Sequence, residues 1–125
     1  DVESEILYAE FDWETILEIC KGSKTTFQNI PKFPAVRRDL ALLVDASVEF
    51  KTLQSLANQC ENQLLKSVNL FDVYEGNNLP KGKKSYALSF VLQDENKTLT
   101  DKHIDKTMEK LIKVFQEKAG AEIRM

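Results

Sequence analysis

The chain has 125 residues, 42% of them hydrophobic and 30% charged, with a formal net charge of −3. This length supports one domain and an appendage, with enough apolar side chains for a real core. The charge argues against a protein that holds nucleic acid by bulk electrostatics, and no apolar run approaches the ~20 residues of a bilayer span.

In chain order, Ile6 to Phe11 alternates as a short strand would, and Asp12 is placed to cap a brief helix with Trp13, Ile16, Leu17 and Cys20 on one stripe. Gly22 and Ser23 stop it, and a polar linker runs from Lys21 to Asn29. Residues 1–29 are therefore predicted to be an appendage or the tail of a preceding domain. The first residue is Asp1 and no apolar leader comes after it, which reads as a piece of a longer protein without a signal peptide. Cys20 and Cys60 fall where helical periodicity wants a small apolar residue, which predicts buried free thiols in a reducing compartment.

Ile30 to Val44 organises the rest of the chain. Pro31 and Pro34 hold the approach extended, and Leu40 to Val44 is apolar throughout, as in a central strand. Asp45 to Ser47 offers turn and cap chemistry; Phe50, Leu53, Leu56, Ala57, Cys60 and Leu64 then recur at helical spacing. Lys66 to Tyr74 is predicted as a strand whose apolar parity changes between Leu70 and Phe71. That change predicts a β-bulge, with Asp72 and Tyr74 turned away from the core. Gly76 to Gly82 is a loop by composition, and Lys84 to Leu92 alternates strictly, with Tyr86, Leu88, Phe90 and Leu92 inward. Leu99 and Ile104 staple a helix capped at Thr100 and ended by Gly120, after which Ile123 points inward from a short edge strand.

The order from Pro34 is β-α-β-β-α-β. It predicts an α+β, ferredoxin-like split βαβ fold with four antiparallel strands and both helices on one face. The uncovered face should present Ala41, Asp72, Tyr74, Ser85, Ala87, Ser89 and Arg124. Small residues there let a planar partner approach the backbone, Tyr74 offers a stacking ring, and Asp72, Ser85 and Arg124 offer polar contacts. Sheets that read single-stranded RNA work this way.

The charge runs add to this. Residues 1–18 carry seven acids and no Lys or Arg, whereas the next twenty carry Lys21, Lys24, Lys32, Arg37 and Arg38 and no acid; Gly76 to Gln93 is again acid-free, with Lys81, Lys83 and Lys84. Such runs read either as solvated surface or, if they converge on one side, as a local anion site.

The strings FPAVRRDLALLVD at Phe33 to Asp45, FDVYEG at Phe71 to Gly76, PKGKKS at Pro80 to Ser85 and TLTD at Thr98 to Asp101 stand in that order. Together they resemble the C-terminal ferredoxin-fold anticodon-binding domain of the bacterial phenylalanyl-tRNA synthetase β subunit, over about residues 30–125. Residues 1–29 look like the end of the synthetase-like module before it. The resemblance implies a domain without a catalytic site or cofactor of its own, which holds the anticodon stem-loop of phenylalanine tRNA on the open face. It further implies a cytoplasmic parent ligase that uses ATP and magnesium and aminoacylates on the α subunit of a heterotetramer. Matched onto this chain, its contacts fall on Ala41, Asp72, Tyr74, Ser85 and Arg124.

Each residue has a plainer reading beside this one. Tyr74 is a stacking ring or an ordinary strand aromatic; Asp72 accepts from a base, or is a loop-end residue or the partner of an Arg. Arg37 and Arg38 position phosphates or pair locally with Asp39. Lys81, Lys83 and Lys84 touch an RNA backbone or are solvated, as are Lys102, Lys106 and Lys110 on the last helix. His103 has no second His or Cys nearby to make a metal site. An ACT-type amino-acid sensor shares the element order but calls for a Gly-rich first strand-helix turn, and Asp45-Ala46-Ser47 has none. An acylphosphatase-like hydrolase needs a glycine-rich anion loop at the same place, also missing.

Overall fold

The computed structural model describes residues 5–27 and 29–124. The chain divides into two compact units between Ile30 and Pro31. In the first, residues 5–12 form no strand. Among the described residues of this unit there is no second strand to take the backbone hydrogen bonds of Ile6 to Phe11, and their alternation does not become a strand. Helix α1 (Trp13–Cys20) is capped by Asp12, whose carboxylate accepts from the Glu14 N–H at 3.1 Å, the Thr15 N–H at 3.3 Å and the Thr15 hydroxyl at 2.8 Å. No residue of α1 is buried, and Cys20 is a free, exposed thiol rather than a buried one.

The second unit runs β1 (Val36–Asp45), α2 (Phe50–Cys60), β2 (Leu65–Tyr74), β3 (Lys83–Leu92), α3 (Asp101–Ala119) and β4 (Glu122–Arg124). The strands form one antiparallel sheet in the order β2-β3-β1-β4, the ferredoxin-like arrangement. β1 lies inside the sheet, between β3 and β4, in keeping with its apolar run. Its register against β3 pairs Leu40 with Leu88 and Leu42 with Tyr86, so the even-numbered residues of both strands share the face covered by the helices. Leu42, Leu88 and Phe90 from that face meet Leu53 of α2 and Leu111 and Phe115 of α3, all fully buried, with the Phe90 and Phe115 rings 6.0 Å apart.

The helix ends follow from local chemistry. α2 begins at Phe50, with Glu49 as its N-cap, rather than at the Asp45 to Ser47 turn, where Val48 N–H donates to the Asp45 carbonyl at 2.9 Å. It ends at Cys60, so Leu64 lies beyond it. Glu61 shapes that exit: its carboxylate accepts the Gln63 and Leu64 N–H groups at 3.1 and 3.2 Å. Burial pushes the Glu61 carboxyl up, but those two N–H donors and Lys110 outweigh it and hold the group below the usual 4.5. α3 has Thr100 as its N-cap, with Leu99 and Ile104 buried on either side, and ends at Gly120 with φ of 58°.

The second strand carries the predicted irregularity. Leu70 pairs with Leu88 and Asp72 with Ala87, so Phe71 is the extra residue of a bulge. A further register shift lies between Leu65 and Ser67. Without the bulge, strict alternation from Leu70 would turn Asp72 and Tyr74 toward the helices. With it, they join the opposite face.

Candidate nucleic-acid interface

The face away from the helices can be laid out as rows across the sheet. One row reads Asp72, Ala87, Ala41, Arg124, from β2 through β3 and β1 to β4. It has an acid at one end, a cation at the other and two alanines as its floor. The next row reads Tyr74, Ser85, Leu43, Glu122. Six of these residues, Ala41, Asp72, Tyr74, Ser85, Ala87 and Arg124, line one open depression of about 390 Å³. Small side chains leave the backbone approachable there, which suits a flat ring better than a branched one.

Two long side chains reach over that floor from opposite edges. The Arg124 guanidinium carbon lies 5.6 Å from the centre of the Tyr74 ring, within cation–π range. Behind the ring is Gly76. A Cβ built there would lie 2.9 Å from Tyr74 Cε2 and nearer still to Cζ and Oη. The ring therefore occupies space that any larger residue at Gly76 would fill. Tyr74 remains 38% exposed, with surface free for a partner. Among the described residues, neither Asp72 nor Arg124 takes part in an ion pair, so both keep hydrogen-bonding capacity for a ligand.

The basic residues separate into distinct positions. Arg37 is on this face, 60% exposed, and forks onto Asp39 through Nε at 2.9 Å and Nη2 at 3.2 Å. Lys83 also shares the open-face parity but is bound between Asp45 Oδ1 at 3.3 Å and Glu122 Oε1 at 3.5 Å. Its hydrogen bond to Asp45, helped by Glu122, holds the ammonium above the ordinary 10.5. Lys83 thus ties β3 to the ends of β1 and β4, and its charge is largely answered. Lys81 is exposed in the loop before β3.

Arg38 and Lys84 are not brought to this face. Arg38 pairs with Phe90 in the register, on the helix side, and its guanidinium reaches Asp101 at the start of α3 at 3.7 Å. Lys84 pairs with Val44, is 9% exposed, and sets its ammonium 4.8 Å from the centre of the Tyr86 ring. Both have the parity of inward residues, and the pleat decides direction regardless of charge.

Two residues of the face were not singled out from the sequence. Gly76 reads there as a loop border, and its packing against the Tyr74 ring shows only in three dimensions. Phe71, 55% exposed, reads as a strand residue of changed parity, and the bulge leaves it unpaired.

A family model described as a ferredoxin-fold anticodon binding domain matches residues 31–124. The chain belongs to this family. The match bears out the resemblance drawn from the four sequence segments. Over 124 residues, 99% of its length, the chain is 52% identical to part of the phenylalanine–tRNA ligase β subunit of Bacteroides fragilis. It is 49% identical over the same length to that of Bacteroides thetaiotaomicron and 40% to that of Clostridium acetobutylicum. In each case it spans only about 15–16% of the relative. The family match begins at Pro31, where the second unit begins; similarity to the relatives extends through the first unit as well. Among the described residues of this anticodon-binding domain and its leading segment, no helix is long and apolar enough to cross a membrane.

Proposed function

We propose that this chain is the tRNA-reading end of a phenylalanine–tRNA ligase β subunit. On this reading it holds the anticodon stem-loop of phenylalanine tRNA on the open sheet face while aminoacylation proceeds on the α subunit of a cytoplasmic heterotetramer. The observation that carries it is the depression formed by Asp72, Ala87, Ala41 and Arg124 with Tyr74 and Ser85 beside them. A base stacks on Tyr74 over the alanine floor, Asp72 accepts from an amino or imino donor, and Arg124 and Ser85 donate to carbonyl or ring-nitrogen acceptors. Arg37 and Lys81 stand at the margins for phosphates.

ATP and magnesium belong to the parent ligase. On this reading neither acts within this domain. Residues 1–29 are the end of the module that precedes this domain, a reading supported by the similarity to the relatives before the family match begins.

The test is fluorescence anisotropy of a labelled phenylalanine anticodon stem-loop at low salt, beside a stem-loop of unrelated anticodon. Preferential binding that Tyr74→Ala weakens by ~1–3 kcal/mol, the worth of a base–aromatic stack, is expected. Equal binding of both loops, unaffected by Tyr74→Ala, would refute base reading on this face.

A further inference from the structure

The open face carries a second ring and a second guanidinium. Phe71, the bulge residue, is 55% exposed, and the Arg37 guanidinium carbon lies 5.6 Å from its ring centre. Arg37 has open-face parity on β1, two strands away from Phe71, so the pair bridges the sheet over Ser89, which is 4% exposed. Arg37 is itself held in plane by its two bonds to Asp39. The arrangement repeats that of Tyr74 and Arg124: an aromatic from β2, met by an arginine from across the sheet.

Covering the exposed Phe71 ring with a planar partner would be favourable through the apolar area removed from water. A bulge that adds this ring next to Asp72, on the face already proposed to read bases, is continuous with that surface. Phe71 and Tyr74 are three residues apart on one strand, or ~10 Å along it. Four-stranded RNA-reading sheets stack two or three bases on aromatic side chains of their open face.

We propose that Phe71, with the guanidinium of Arg37, is a second stacking position, occupied by a nucleotide adjacent to the one on Tyr74. The inference rests on the anticodon-reading function proposed above. Phe71 has no hydrogen-bonding group, so this position adds affinity and fixes the path of the strand without selecting a particular base. Arg37 contributes its planar face and, through the nitrogen that Asp39 does not engage, a donor toward the phosphate.

The experiment uses this chain with anticodon stem-loops in which 2-aminopurine replaces one loop base at a time, since stacking on a ring quenches its fluorescence. Wild-type binding is expected to quench two neighbouring positions. Tyr74→Ala should abolish quenching at one, and Phe71→Leu, which keeps an apolar side chain but removes the ring, at the other. Phe71→Ala should weaken binding about 5- to 150-fold, and to a similar degree for loops that differ in sequence at that position. If Phe71→Leu leaves every quench intact while Tyr74→Ala removes one, this inference fails and base reading stands. If no quench depends on Tyr74, the reading beneath it fails and the inference with it. Phe71 is outside the core, so both variants should keep the wild-type thermal transition, and that measurement separates lost stacking from lost folding.

Discussion

Replacing Gly76 by alanine separates the placement of Tyr74 from the stability of the sheet. Only Gly82 and Gly120 have positive φ among the described glycines, so alanine fits the backbone at position 76. Its restriction of the unfolded chain favours folding by ~0.4–1 kcal/mol. Its Cβ, however, would lie 2.9 Å from Tyr74 Cε2 and closer to the end of the ring, and the ring must swing away. The packing given up is modest, because Tyr74 is 38% exposed and at the edge of the sheet, and the two effects should cancel to within about 1 kcal/mol. Binding has no such compensation: a displaced ring forfeits the base stack, ~1–3 kcal/mol or about 5- to 150-fold in affinity. Anisotropy titrations of the stem-loop, beside thermal unfolding, measure both. The double variant with Tyr74→Ala should bind no worse than Tyr74→Ala alone, since glycine acts through the ring. Full affinity in Gly76→Ala, with Tyr74→Ala still impaired, would refute the reasoning.

Two other outcomes test the electrostatics. Glu61→Gln should cost about 1 kcal/mol at pH 7, the difference between a charged and a neutral acceptor for the Gln63 and Leu64 N–H groups. Because the folded pKa of Glu61 lies below 4.5, that contribution is present above pH 4.5 and is lost as the pH falls through the folded value; urea unfolding should show variant and wild type converging in acid. Lys81→Ala should lower the log–log salt slope of stem-loop binding by ~0.7–0.9, whereas Lys84→Met, on the helix side of the sheet, should leave the slope unchanged. A slope that responds to Lys84 and not to Lys81 would overturn this assignment of faces.

Much of this arrangement could be read from alternation alone. Tyr86, Leu88, Phe90 and Leu92 declare the inner face of β3, and the opposite parity gives Ser85 and Ala87. The break at Leu70 and Phe71 then turns Asp72 and Tyr74 outward, and the row from Asp72 to Arg124 is complete once β4 pairs with β1. The features that sequence did not show depend on pairing between distant segments. Lys83 meets Asp45 and Glu122 only through the registers of β1 with β3 and β4. Arg38 and Lys84 read as possible phosphate contacts from their charge, but their parity matches Leu40 and Tyr86 and carries them to the helix side of the sheet. Ile6 to Phe11 alternates, but the described residues of its unit hold no second strand, and alternation without a partner leaves the chain irregular. Gly76 acts through space that Tyr74 fills, and spacing alone does not report that.

The bulge in β2 also bears on how this surface could vary. Leu70 and Asp72 occupy consecutive positions opposite Leu88 and Ala87, so Phe71 is supernumerary to the lattice of the sheet. Deleting it would leave Leu70 inward and Asp72 and Tyr74 outward, every remaining residue keeping its face and partner. Deleting one residue from β1, which has no register shift against β3, would instead invert that strand from that point on. As Lys66 does at the other shift, Phe71 therefore marks a place in the strand where a side chain can be gained or lost as a unit. Contact area can be tuned there across related sequences while the geometry of the depression beside it is inherited unchanged.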